Sequence, residues 1–227
     1  MNITQKITHS VYIKSAVAIA VVVLIVVGFF VGLGFALNVD VPVRVVKSGS
    51  MCVPYNDLCD GGGHVFEHTL HVGDIIIIQG VDPKSINADY PNSDIIVYQN
   101  PTNPSAIPIV HRVVTSYEVN GSRYFQTKGD GNPTVKWPNP ISTQDYDSNR
   151  IWHTGQGVPE DQVIGKVVMR IPWLGHITLF LQGNPWGLPF IIAIILALVV
   201  LEFILPMIKK KTQEQETKTE PVDSFVI

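Results

Sequence analysis

Two polar side chains have the types and surroundings that nucleophilic catalysis needs. Ser50 lies in a Ser-Gly-Ser-Met segment at 48–51, after a strand-like run, and its glycine allows a tight turn. His111 lies in an apolar run at 107–114, where desolvation keeps an imidazole neutral and able to accept a proton. The pair predicts acyl transfer, with the Ser48 hydroxyl as a further oxyanion donor. Ser-Gly-Ser is also common in plain loops.

A candidate acid to orient the imidazole is Asp130. The Asn-Gly dipeptide at 120–121 lies between two β-rich runs and is the strongest short-range signal of a two-residue hairpin. An unbroken ladder from that turn pairs Tyr117 with Tyr124 and His111 with Asp130, with opposite Cβ atoms about 5 Å apart. A bulge would break this register, and a carboxylate near a turn is also common without any catalytic role.

Two apolar blocks decide the environment of these residues. Only 15% of the 227 residues are charged, whereas a soluble globular chain has about 25%. The blocks at 15–37 and 187–208 are each long enough to cross a hydrocarbon core of about 30 Å. The first exceeds the usual apolar core of a cleaved signal peptide and is predicted to be an anchor. Disorder and an ordinary cytosolic enzyme are excluded, and a net charge of −3 argues against nucleic-acid binding.

The orientation follows from the lysines at 209–211, which directly follow the second block. The positive-inside rule places them in the cytoplasm. Two spans return the chain to its starting side, so we expect a cytoplasmic N-terminus at 1–14 and a disordered cytoplasmic tail at 209–227. The domain at 38–186 is expected outside the cell membrane.

Short β-rich runs separated by turn residues dominate this outer domain, and no helical periodicity is evident in it. The predicted fold class is a mainly β extracytoplasmic domain flanked by two transmembrane α-helices. The predicted strands are Val41–Val46, Val72–Gln79, Asp94–Gln99, Ile107–Val119, Ser122–Lys128 and Val163–Ile171.

The two cysteines, Cys52 and Cys59, lie in the predicted outer domain, where a disulfide can persist. Their pairing stays open at this point. A metal site with His64, His68 and His71 is the alternative, but the spacing matches no standard zinc pattern. We expect neither a metal nor a cofactor.

The order of four short motifs along the chain is more specific than any one of them. Ser-Gly-Ser-Met at 48–51, Gly-Asp at 73–74, His-Arg at 111–112 and Lys-Gly-Asp at 128–130 follow one another between membrane anchors. This series resembles signal peptidase I, and more narrowly its archaeal and endoplasmic-reticulum type, which has histidine where the bacterial enzymes have a lysine base. The resemblance covers most of residues 40 to 175.

The resemblance implies a role for each matching residue. Ser50 would be the nucleophile, Ser48 an oxyanion donor and His111 the general base. Asp130 matches the first of two important acids.

The second acid has no clean match. The family has an aspartate soon after the first, whereas this chain has Asp145 and Asp147 after an apparent insertion. We favour Asp147. The segment at 52–71 is a further departure, because the family usually reaches the Gly-Asp strand sooner.

The implied function is a membrane-bound serine endopeptidase that removes N-terminal signal peptides after a small residue, as in Ala-x-Ala. Its expected partners are secretory preproteins and the lipid bilayer; accessory subunits are left undefined. The main alternative is a non-catalytic membrane-anchored β domain in adhesion or assembly. A self-cleaving repressor-type peptidase is less favoured, because that type uses a lysine base and a soluble DNA-binding domain.

Overall fold

The computed structural model describes residues 3–53, 59, 69–101, 103, 105–131, 138–139, 146–147, 155–198 and 201. The chain divides into two compact units, residues 1–176 and 177–227. The first unit contains a long helix and the β-sheet, and the second contains the C-terminal helices.

Helix α1 (Ile3–Ala36) contains the first apolar block. Its part Ala16–Ala36 has a mean hydropathy of 3.1, and none of that stretch is buried inside the protein. At 1.5 Å per residue this stretch is long enough to cross a bilayer. The predicted N-terminal anchor therefore corresponds to a continuous apolar helix.

A bend precedes the C-terminal apolar block. Helix α2 (His176–Gly183) is followed by α3 (Gly187–Leu198), and the two axes are bent by 110°. Pro185 lies in the break, where its ring removes a backbone N–H and disfavours helix in the residue before it. The pair is long and apolar enough for a membrane only when counted as one bent span. The predicted span at 187–208 begins with α3 and continues into residues outside the described part, so it stays a prediction.

Within the described residues the sheet has seven antiparallel strands in the order β1-β2-β7-β3-β4-β5-β6. All six predicted strands are present, with ends shifted by at most three residues, so the prediction of a mainly β domain is confirmed. A two-residue strand and the short helix α2 were not predicted, because neither is long enough to show a period. The strands are β1 (Val43–Val45), β2 (Ile75–Gln79), β3 (Ile95–Tyr98), β4 (Ile109–Val119), β5 (Ser122–Lys128), β6 (Val158–Pro159) and β7 (Val163–Ile171).

The hairpin between β4 and β5 forms as predicted at its turn. Asn120 and Gly121 have φ angles of 52° and 85°, the positive values that a type I′ turn requires. Tyr117 lies opposite Tyr124, as the unbroken ladder predicts.

Further along the hairpin the register shifts by one residue within β4, and Arg112 lies opposite Lys128. The prediction that His111 lies opposite Asp130 is therefore wrong. A β-bulge leaves no separate sequence signal here, yet it changes the partner of every residue beyond it.

Both faces of the sheet are covered by apolar side chains. Val97 belongs to one buried cluster, whereas its neighbours Ile96 and Tyr98 belong to another, because successive strand residues point to opposite faces. His111 is paired with Ile96 and therefore lies on the Ile96 face. In the part of the chain that the structure describes, the first cluster contains Val46, Met51, Leu70, Ile76, Ile78 and Val97; the second contains Ile86, Ile96, Tyr98, Val113, Phe125 and Val158.

A matched pair of isoleucines tests this core. Ile78 is fully buried, whereas Ile107 is 61% exposed. Ile78→Ala is expected to lower the free energy of unfolding by about 2–5 kcal/mol, since it leaves a cavity. Ile107→Ala is expected to change it by less than about 0.5 kcal/mol. Denaturant unfolding in detergent measures both, and equal losses would contradict the described core.

Candidate active site

Ser50 is presented by a single turn of 3-10 helix, Gly49–Met51, that follows β1. Ser48 precedes the turn in an extended conformation, and the Cys52 N–H closes the turn on the Gly49 carbonyl at 3.0 Å. Met51 is fully buried in the core, whereas Ser50 remains partly exposed. Met51 thus anchors the turn in the core, while the side chain of the preceding residue, Ser50, remains accessible to solvent.

A second loop supports this turn from behind. The Gly131 N–H donates to the Ser50 carbonyl at 2.9 Å, and the Asp130 N–H approaches the Met51 sulfur at 3.5 Å. A Cβ at Gly131 would lie 2.3 Å from the Cys52 carbonyl oxygen, so only glycine fits this close approach. The end of β5 therefore holds the backbone that carries Ser50.

His111 lies beside Ser50. Its Nε2 is 3.0 Å from Ser50 Oγ, within the distance at which a base takes a proton. The imidazole comes from β4 and is buried. The turn after β1 and the strand β4 therefore bring the serine hydroxyl to the Nε2 atom of the imidazole.

Asp147 completes a hydrogen-bonded chain. Its Oδ2 is 2.5 Å from His111 Nδ1, and the carboxylate is almost fully buried. Thr127 donates to the same oxygen at 2.8 Å, and the Tyr98 hydroxyl lies 3.3 Å from it. Sequence reasoning favoured Asp147 but missed the two hydroxyls. Asp145, the other candidate, lies outside the described residues.

The electrostatics favour a neutral phenol beside this carboxylate. Burial, and then the charge of Asp147, raise the pKa of Tyr98 well above its usual value. Tyr98 therefore acts as a hydrogen-bond donor throughout the physiological pH range.

Ser48 lies on the open side of the site. Its Oγ is 3.4 Å from Ser50 Oγ, and the residue is exposed. The two hydroxyls are close enough to approach one oxygen atom of a bound group.

The Asp130 carboxylate bonds to Arg112, whereas the carboxylate that bonds to the imidazole is that of Asp147. The two carboxylate oxygens of Asp130 accept from the Arg112 Nε at 2.8 and 3.1 Å, and one accepts from Nη2 at 2.8 Å. Arg112 also donates to the Ser93 carbonyl at 2.8 Å. Burial raises the pKa of Asp130, and the guanidinium opposes that shift. In this position Asp130 orders the loop behind Ser50.

Cys52 and Cys59 form a disulfide. It joins the residue after the Ser50 turn to Cys59, and the Cys59 carbonyl accepts from the N–H of Val72, three residues before β2, at 2.8 Å. Neither sulfur is then a thiolate that could bind a metal, which removes the basis of the alternative metal site. His64 and His68 lie outside the described residues.

The arrangement of Ser50, His111 and Asp147 can carry out general-base catalysis. A serine hydroxyl, an imidazole and a buried carboxylate follow one another by hydrogen bonds, in the geometry of serine hydrolases that use a triad.

The comparisons with known proteins give this geometry a context. No family model matches the chain. Curated relatives named as the catalytic subunit SEC11 of the signal peptidase complex do match it. This chain is a homologue of those subunits. The predicted resemblance to signal peptidase I of the endoplasmic-reticulum type is confirmed.

Three of these relatives show the extent of the match. The SEC11 of Komagataella phaffii is 28% identical over 192 residues, 82% of this chain and 90% of the relative. That of Schizosaccharomyces pombe is 29% identical over 169 residues, 67% of this chain and 74% of the relative. That of Verticillium alfalfae is 27% identical over 172 residues, 75% and 81% of the two chains.

The Asp130–Arg112 pair can be tested against an exposed ion pair of the same sheet. Asp130→Asn leaves a buried guanidinium without its counter-charge and is expected to lower the free energy of unfolding by about 3–5 kcal/mol. Glu118→Gln removes the partner of Arg123 at the surface and should cost less than about 1 kcal/mol. Thermal unfolding of the purified variants measures both. Equal effects would mean that the buried pair does not stabilise the loop.

Proposed function

We propose that this chain is a membrane-bound serine endopeptidase that removes N-terminal signal peptides from secretory preproteins. Cleavage follows a small residue, as in Ala-x-Ala. The observation that carries the proposal is the hydrogen-bonded chain from Ser50 through His111 to Asp147, found in a homologue of signal peptidase catalytic subunits.

The first step is acylation. Ser50 Oγ attacks the scissile carbonyl carbon while His111 Nε2 takes its proton. Asp147 accepts the Nδ1 hydrogen, fixes the tautomer and stabilises the imidazolium that forms. The imidazolium then gives its proton to the leaving amine, and the mature protein departs with a free N-terminus.

The oxyanion of the tetrahedral intermediate needs donors. In this proposal they are the Ser50 N–H and the hydroxyl of the exposed Ser48, whose Oγ lies 3.4 Å from Ser50 Oγ. Each such donor contributes roughly 10²–10³ to the rate. Water, with His111 again as base, then hydrolyses the acyl-enzyme and releases the signal peptide.

The substrate binds as an added strand. β1 is at one edge of the sheet, pairs with β2 on its inner side and leads directly into the Ser50 turn. A preprotein segment that pairs with its outer side would bring a carbonyl to Ser50 by main-chain hydrogen bonds. Shallow side-chain pockets then select small residues.

The membrane holds the enzyme and its substrate together. The end of α1 is tied to the sheet, because the Gly80 N–H after β2 donates to the Leu37 carbonyl at 2.8 Å.

We infer a two-pass protein of the cell membrane, with spans at 15–37 and 187–208. The domain at 38–186 is extracytoplasmic and both termini are cytoplasmic. The disulfide suits an oxidising compartment.

Partners follow from this assignment. Secretory preproteins and the lipid bilayer are the primary ones, and the relatives are named as subunits of a complex. The proposal therefore includes accessory subunits that bind this chain at the membrane, and it assigns no surface to them.

Cleavage of a model preprotein in detergent or proteoliposomes tests the proposed reaction. Ser50→Ala and His111→Ala are expected to lower kcat to background, and Asp147→Asn to lower it by about 10⁴-fold, because the imidazole loses its tautomer partner. The exposed Ser105→Ala is the matched control and should keep wild-type kcat. Equal cleavage by wild type and Ser50→Ala, with the fold intact, would favour the non-catalytic anchored β domain instead.

The topology is tested by protease protection of sealed vesicles. With a C-terminal epitope tag, inside-out vesicles should lose the tag and keep the β domain, whereas right-side-out vesicles should keep the tag. The reason is the lysine cluster at 209–211, which remains on the cytoplasmic side. Loss of the tag from right-side-out vesicles would mean that the C-terminal block does not cross the bilayer.

A further inference from the structure

We propose that the hydroxyls of Tyr98 and Thr127 are positioning groups that hold Asp147 Oδ2 against His111. The inference rests on the proposed function and adds two residues to its mechanism. Thr127 Oγ1 lies 2.8 Å and the Tyr98 hydroxyl 3.3 Å from Oδ2, and both side chains are almost fully buried.

The sheet brings these groups together from adjacent strands. Tyr98 ends β3, His111 lies in β4 and Thr127 lies in β5, and the three strands are neighbours. Ile96 pairs with His111 and Val113 with Thr127. Strand alternation then puts all three polar side chains on one face. Among the described side chains, these three meet at one carboxylate oxygen.

The proton count shows how the hydroxyls act. A carboxylate only accepts, and each hydroxyl has one proton to give. Thr127 gives its proton to Asp147 and keeps lone pairs that accept from Tyr98, whose oxygen is 3.2 Å away. The Tyr98 proton is then shared between Thr127 Oγ1 and Asp147 Oδ2. Both protons thus stabilise the same negative charge.

This donation has two effects. The two hydrogen bonds prevent the Asp147 carboxylate from rotating away from His111 Nδ1. They also distribute the negative charge of Asp147, with which the imidazolium interacts, over more atoms. Loss of one hydroxyl removes a donor that fixes this oxygen, so the carboxylate can turn away from His111 Nδ1 more easily. The substitutions below change neither the buried Asp130–Arg112 pair nor Lys128 in β5.

Single-atom changes separate positioning from packing. Tyr98→Phe removes one oxygen, and Thr127→Val replaces a hydroxyl by a methyl group. Each is expected to lower kcat by roughly 10-fold with little change in KM, the scale of one hydrogen bond to a charged group. Thr127→Ser keeps the hydroxyl and should restore wild-type kcat.

Tyr117→Phe is the matched control. Its hydroxyl bonds to the Gln156 carbonyl and not to Asp147, so the variant should keep wild-type kcat. An equal loss of kcat in Tyr117→Phe and Tyr98→Phe, or failure of Thr127→Ser to differ from Thr127→Val, would overturn the positioning role and leave only packing.

A second readout does not depend on turnover. Proton NMR of histidine-labelled protein observes the hydrogen between His111 Nδ1 and Asp147 directly. Tyr98→Phe and Thr127→Val should each shift its resonance, whereas Tyr117→Phe should not. An unchanged resonance in Tyr98→Phe and Thr127→Val overturns this inference even if Ser50-dependent cleavage is present. A shifted resonance together with cleavage that Ser50→Ala does not abolish would uphold the inference and overturn the proposed function.

Discussion

The burial of the Asp147 carboxylate is the constraint on which the other features of the site depend. An ionised carboxylate removed from water costs several kcal/mol unless hydrogen bonds and an opposite charge replace its hydration. Here the replacement comes from side chains on β3, β4 and β5. Those side chains meet only when the three strands are in the observed register. The chemistry of His111 and the pairing of the sheet are therefore stabilised by the same contacts.

Side chains on both faces of the sheet contribute to the site. The face with Ile96 and Tyr98 surrounds the imidazole and its carboxylate. The opposite face receives Met51, and the adjacent Asp130–Arg112 pair orders the loop that bonds to the Ser50 carbonyl. Because His111 and Arg112 are consecutive in β4, one strand serves both faces. A shift of this strand by one residue would exchange the base for the guanidinium.

Most of this arrangement can be predicted from the sequence wherever apolar and polar residues alternate regularly or a turn motif is present. The six predicted strands and the Asn-Gly turn at 120–121 are present, because alternation and positive φ leave clear patterns. The bulge in β4 leaves no such pattern in the sequence, and for this reason the predicted pairing of His111 with Asp130 was wrong. Tyr98 and Thr127 belong to no motif in the sequence, and only the register of the strands brings them to Asp147. The bend between α2 and α3 coincides with Pro185, which lies just before the predicted block at 187–208.

The way in which Asp147 is held bears on how such enzymes diverge. Its carboxylate is fixed by side chains of three strands that are far from it in the chain, with separations of 49, 36 and 20 residues. Selection on the reaction therefore acts on the strand positions and on one carboxylate, and only weakly on the number of residues between β5 and that carboxylate. Insertions and deletions there are close to neutral whenever the acid still reaches its three donors. Alignments that require a constant spacing would misassign the acid in such lineages, whereas the donors on the strands would still identify it.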